Sequence, residues 1–207
     1  MMIQKGYLLI ATLVLLQTGC SVGGASRPSE FYVLNTEPGT PVSGRTAPAD
    51  PLTVGLGPVT MPDIFDRPQI VTRPEPNQID LAEFDRWGGD LNRDLSRVLA
   101  QNLMSRLNTD SILPHPWSRS DNPQFQVAVQ VFRFDGELGN VARLEGVWRL
   151  MDGAKGCELA IHRFRFDESP AGPGYPEFVS AMSRAVAKLS QEIAEQIGKT
   201  SPGCKAH

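Results

Sequence analysis

The sequence predicts a single α/β domain in which two amphipathic helices pack on a mixed sheet containing a C-terminal antiparallel three-strand meander. Three observations carry this. Leu91, Leu95, Val98, Leu99, Leu103 and Leu107 recur at helical spacing, with Arg93, Arg97, Gln101 and Ser105 on the other side. A second such row, Phe178, Ala181, Met182, Ala185, Leu189, Ile193 and Ile197, comes near the end of the chain. Between them Phe125, Val127, Val129 and Val131 alternate with Gln124, Gln126, Ala128 and Gln130, the two-residue period of a half-buried strand. Helices before and after a run of strands can bury their stripes only against the sheet those strands form.

The first residues are of a different kind. Lys5 is the only charge among the first twenty, residues 7–16 are apolar except for Thr12, and Gln17-Thr18-Gly19-Cys20 follows. This apolar run is too short to span a bilayer, which takes about twenty residues. It reads as the core of a signal peptide over residues 1–19. The small Thr18-Gly19 pair directly before Cys20 resembles a bacterial lipobox, although Gln17 stands where an aliphatic residue is usual. Cys20 is therefore the expected site of acylation, by a diacylglyceryl group and a further fatty acid such as palmitate. Ser21 rather than Asp after the cysteine favours the outer membrane, by the same resemblance.

The mature chain then unfolds in order. Residues 20–29 are small, polar and glycine-containing, the composition of a tether. The domain is expected over 30–199, with a short tail at 200–207. Phe31-Tyr32-Val33-Leu34 gives a first strand, and Pro38, Pro41, Pro48 and Pro51 mark a loop. Strands follow around Gly55 and Gly57, at Gln69-Ile70-Val71-Thr72 before Pro74 and Pro76, and over residues 78–83. Asp90 is placed to cap the first helix. Phe132 and Phe134 break the parity of the Val127 strand, which predicts a bulge. Ala142, Leu144, Trp148 and Leu150 point inward on the next strand, Asp152-Gly153 makes a turn, and a third strand runs from Cys157 to about Phe166. That strand shows a similar break between Ile161 and Phe164, which suggests a shared bend. Pro176 suits the first turn of the closing helix, and Gly198 its end.

Composition narrows the function. The chain has 207 residues and a net charge of -3, with no run of Lys or Arg, so a nucleic-acid partner is not indicated. Of its three cysteines, lipidation of Cys20 leaves Cys157 and Cys204, which either pair in an oxidising compartment or remain one half-buried and one loose thiol. His115, His162 and His207 have no metal-ligand spacing, and neither a nucleophile elbow nor a phosphate loop occurs. Asp63, Asp66 and Glu83 are not set apart from other solvated carboxylates. No catalytic residue, metal or cofactor is expected.

One ordered set of motifs remains. Gly57-Pro58-Val59, Pro62-Asp63, Arg67-Pro68-Gln69-Ile70-Val71-Thr72-Arg73, Arg86-Trp87 and the Leu-rich helix, then Phe132-Arg133-Phe134-Asp135-Gly136 and Leu144-Glu145-Gly146-Val147-Trp148-Arg149-Leu150, resemble the ABC-type transport auxiliary lipoproteins, also called PqiC-like lipoproteins. Gly88-Gly89 departs from the family pattern. The resemblance implies a periplasm-facing outer-membrane lipoprotein that works with an MCE-domain protein, and with an ABC permease and ATPase, to move lipids or other hydrophobic molecules between membranes. A lipoprotein that activates or positions an envelope enzyme is the alternative. The proline-punctuated stretch 62–76 offers a preformed docking edge, with Asp63, Arg67 and Arg73 as its polar contacts. Against this, Arg67 can pair with Asp63 or Asp66, and Trp87 reads as core.

Overall fold

The computed structural model describes residues 27–37, 39–42 and 52–204. Cys20 and the signal peptide expected over residues 1–19 lie outside them. The elements run β1 (Glu30–Tyr32), β2 (Val54–Thr60), a 3-10 turn (Asp63–Phe65), β3 (Gln69–Glu75), β4 (Gln78–Trp87), α1 (Leu91–Leu107), β5 (Ile112–Pro114), a second 3-10 turn (Arg119–Asp121), β6 (Phe125–Glu137), β7 (Val141–Asp152), β8 (Glu158–Glu168) and α2 (Tyr175–Lys199). The helices pack on mixed sheets, and β6-β7-β8 is the expected antiparallel meander.

The strands divide between two sheets, where the sequence suggests one. Five strands order as β5-β2-β6-β7-β8, with β2 parallel to both β5 and β6; three more order as β1-β4-β3. The division follows from the prolines. Pro58 has no N–H for the ladder, and the β2–β6 register shifts between Leu56 and Val59. After Thr60 the chain turns at Pro62 and through the 3-10 turn, and β3 pairs with β4 rather than with β2. β4 itself runs to Trp87, four residues beyond the strand that the sequence delimits.

Both helices form as their apolar rows require. The Asp90 side chain accepts from the Arg93 N–H at 2.8 Å, and Asn108 closes α1 in the left-handed region at φ 49°. Leu95, Val98, Leu99 and Leu103 are fully buried, as are Phe178, Met182, Leu189 and Ile193 of α2. Pro176 sits in the first turn of α2, but Gly198 lies within the helix, which continues to Lys199. Between the helices the buried Asn102 donates to Ser190 Oγ at 3.4 Å and accepts from the Glu37 N–H at 3.1 Å, so its burial leaves neither end unpaired.

The parity break in β6 is a bulge. The β6–β7 register shifts between Val131 and Arg133, so that Phe132 keeps the outward side of the alternation while Phe134 is brought into the core. The shared bend expected in β8 is absent. Ile161 faces outward opposite Arg149, and Phe164 faces inward with no irregularity between them; the shift lies between Leu150 and Met151 instead. Ile161 is 48% accessible, and it and Phe164 lie on opposite faces of a regular strand.

Gly146, opposite Val131 at the bulge, is required by space. A Cβ there would lie 2.2 Å from the Gln130 carbonyl oxygen and 2.7 Å from the Phe164 ring. Gly146→Ala is therefore expected to lower stability by about 1–3 kcal/mol, the usual result of overpacking. Urea unfolding checks this, and an unchanged midpoint would show that the bulge relaxes freely.

Candidate functional site

The stretch 62–76 places its three polar residues in different surroundings. Asp63 is exposed in the 3-10 turn that follows Pro62. Arg67 is half-buried at the bend before β3, and among the described residues it forms no ion pair with Asp63, Asp66 or any other group. Its Nε is buried without a hydrogen-bond partner. Asp63, Asp66, Arg67, Trp87, Gly88 and Asp90 line one cleft of about 540 Å³ at the N-terminal end of α1. Trp87 forms the cleft's inner wall. It is buried and meets Phe134 edge to face at 5.9 Å, so it is part of the core, as the sequence suggests.

Arg73 does something else. Its Nε donates to Asp135 Oδ2 at 2.8 Å and its Nη1 to the Pro76 carbonyl at 3.2 Å. Asp135 is fully buried, and its other oxygen accepts from Arg133 Nε and Nη2 at 3.0 and 2.7 Å. The carboxylate is thus shared by β3 of the small sheet and β6 of the large one. Arg73 is a brace between sheets, whereas Arg67 keeps an unspent donor.

A second groove, of about 650 Å³, lies between α1 and the β2–β5 edge. Leu56, Val59, Ala100, Met104 and Ile112 make its floor, with Arg93 and His115 on the rim. Gly57 has φ +125°, a conformation that favours glycine, and a Cβ there would lie 2.5 Å from His115 Cβ. The sequence gives no hint of β5, the groove's short outer wall.

The outward face of the meander carries paired charges. Asp167 accepts from Arg143 Nε at 2.6 Å and Nη2 at 3.0 Å, and Arg165 Nη2 reaches it at 3.0 Å. The Arg143 hydrogen bonds hold this carboxyl at about 2 against an opposing desolvation, with Arg165 adding to the effect. Because the folded value is depressed, the group's contribution is present above the ordinary value near 3.8 and is lost as pH falls toward 2. Arg143→Ala is expected to return the Asp167 carboxyl toward 3.8, read by carboxyl-carbon NMR during acid titration. A value still near 2 would assign the depression to Arg165 instead.

Cys157 and Cys204 form a disulfide with Cα atoms 6.0 Å apart, which ties the residues after α2 to the start of β8. His162 stacks on Trp148 at 4.7 Å, and the indole donates to Glu192; His115 meets Trp117 edge to face. No group of three His, Cys, Asp or Glu that could hold a metal gathers among the described residues. No described helix is long and apolar enough to cross a membrane.

Comparison with known proteins agrees with this layout. Residues 32–194 match the sequence profile of a family described as the ABC-type transport auxiliary lipoprotein component. No protein with curated function matches the chain. Among solved structures, an uncharacterized protein superimposes with a TM-score of 0.67 at 20% identity, covering 83% of this chain and 99% of its own. A Xanthomonas campestris protein of the DUF330 family gives 0.67 at 15% identity, covering 81% and 94%. At such identities these two structures show the fold alone.

Proposed function

This chain belongs to the ABC-type transport auxiliary lipoprotein family, and from that premise we propose that it is the outer-membrane-anchored, periplasm-facing subunit of a system that moves lipids or other hydrophobic molecules between membranes. In this reading it has no catalytic step of its own. It docks on an MCE-domain protein, which an ABC permease and ATPase serve, and Cys20 carries the lipid that holds it to its membrane. The family match over residues 32–194 carries the proposal.

The cleft beside α1 supports a docking role. It offers Asp63 and Arg67 on a backbone stiffened by Pro62 and Pro68, so little order has to be imposed when a partner binds. Arg67 has no ion-pair partner among the described residues, and a carboxylate from the partner entering the cleft would supply one. Arg73 enters this surface only indirectly, by holding β3 in place.

Arg67→Ala is expected to weaken binding to the MCE-domain protein roughly tenfold or more, the value of one charge-assisted hydrogen bond. Its melting temperature should stay near that of the parent, because no internal partner is lost. Surface plasmon resonance with the purified MCE-domain protein gives the first quantity and calorimetry the second. Parent-like affinity in the folded variant would take this cleft out of the interface.

A further inference from the structure

The two most exposed large apolar side chains among the described residues are Phe31 and Val33, at 66% and 52%. They do not belong to a loose end. Phe31 lies in β1, paired in parallel with β4, and Tyr32 accepts from the Gly88 N–H at 2.7 Å. The Leu34 N–H donates to Asp94 at 2.7 Å, and the Leu34 side chain is fully buried. Alternation therefore points Tyr32 and Leu34 inward and holds Phe31 and Val33 outward on a fixed backbone.

Their place in the chain says what faces them. Only six residues separate Cys20 from Arg27, where the described chain resumes. Whatever their conformation, seven peptide steps reach at most roughly 25 Å. An acylated Cys20 therefore keeps this edge of the domain nearer to its bilayer than any other described segment in chain order. The neighbouring charges suit a lipid surface. Arg27 pairs with Glu30 at 2.8 Å and with Asp85 at 3.8 Å, and the half-buried Arg86 is the register partner of Phe31.

We infer that Phe31 and Val33 rest in the interfacial region of the bilayer that holds the acyl anchor, so that the small sheet, rather than the helices or the meander, is the membrane-facing pole. The inference depends on the proposed acylation of Cys20. It fixes orientation: with the β1 edge on the membrane, Gly88, which lines the Arg67 cleft and donates its N–H to the Tyr32 carbonyl, lies beside that edge, so a partner meets the cleft close to the membrane surface.

The test uses the full-length protein, reconstituted into vesicles of phosphatidylethanolamine and phosphatidylglycerol with brominated acyl chains. Phe31→Trp and Val33→Trp each add a fluorophore at the edge, and Phe132→Trp adds one on the meander as a control; the parent signal is subtracted. Intact mass of the same samples reports the acyl chains. The added fluorescence at positions 31 and 33 is expected to fall by roughly half or more, as for side chains seated at the headgroup boundary, and that at position 132 to stay unchanged. Equal quenching at 31, 33 and 132 in acylated protein overturns the inference and leaves the anchor standing. A blue shift at 31 without bromine quenching also overturns it, because a protein surface then covers the site. Absence of the acyl mass overturns both the anchor and the orientation built on it.

Discussion

Asp135→Ala is expected to destabilise the protein by about 3 kcal/mol, the low end of what breaking a buried ion pair removes. The carboxylate has no access to water, and among the described residues it alone forms ion pairs with Arg73 from β3 and Arg133 from β6. Without it, two guanidinium groups face each other across the junction of the sheets. Both keep about a quarter of their surface in solvent, 25% and 28%, which is why the loss stays at the low end. Asp135→Asn keeps part of the hydrogen bonding and should lose less. Arg73→Ala should also destabilise, although Arg133 still serves the carboxylate. Chemical unfolding measures the totals, and hydrogen exchange locates them: protection should fall first in β3 and β4, which the brace joins to β6. A loss below about 1 kcal/mol for Asp135→Ala would mean that water replaces the carboxylate at little expense.

Why this brace escapes the sequence while the helices do not is a matter of range. Asp90 and the rows of Leu91 and Phe178 act within a few residues, and the structure has them where spacing and capping require. The bulge at Phe132 is legible for the same reason, since parity is a local property. Arg73 and Asp135 stand 62 residues apart, and nothing near either names the other. The only hint is a charged residue between Phe134 and Gly136 in a strand whose other inward positions are apolar. β5 is three residues long and ends in proline, so it carries no period to detect. Asp63 and Arg67 are brought to one cleft, as a docking edge would need, but the sequence cannot tell that Arg67 stays unpaired and Arg73 does not.

Cys20→Ala is expected to have the largest effect of all, moving the protein from the membrane fraction to the soluble periplasmic fraction. The apolar stretch of residues 7–16 is too short to hold the chain in a bilayer, and no described helix is long and apolar enough to replace it. In the proposed reading attachment rests on acyl chains, each CH₂ of which contributes about 0.8 kcal/mol when buried. One chain binds only marginally, so the diacylglyceryl group proposed at the thiol is what would make attachment durable. Alanine has no thiol to accept it. Phe31 and Val33 are too few to hold the domain alone, and at the membrane they set orientation rather than residence. Metabolic labelling with an alkyne fatty acid should mark the parent and leave the variant blank, while sucrose-gradient fractions should show the parent with the outer membrane. A variant that is still labelled would place the lipid elsewhere. A variant that is unlabelled but still sediments with the outer membrane would mean that docking on another protein, not the lipid, holds the chain there.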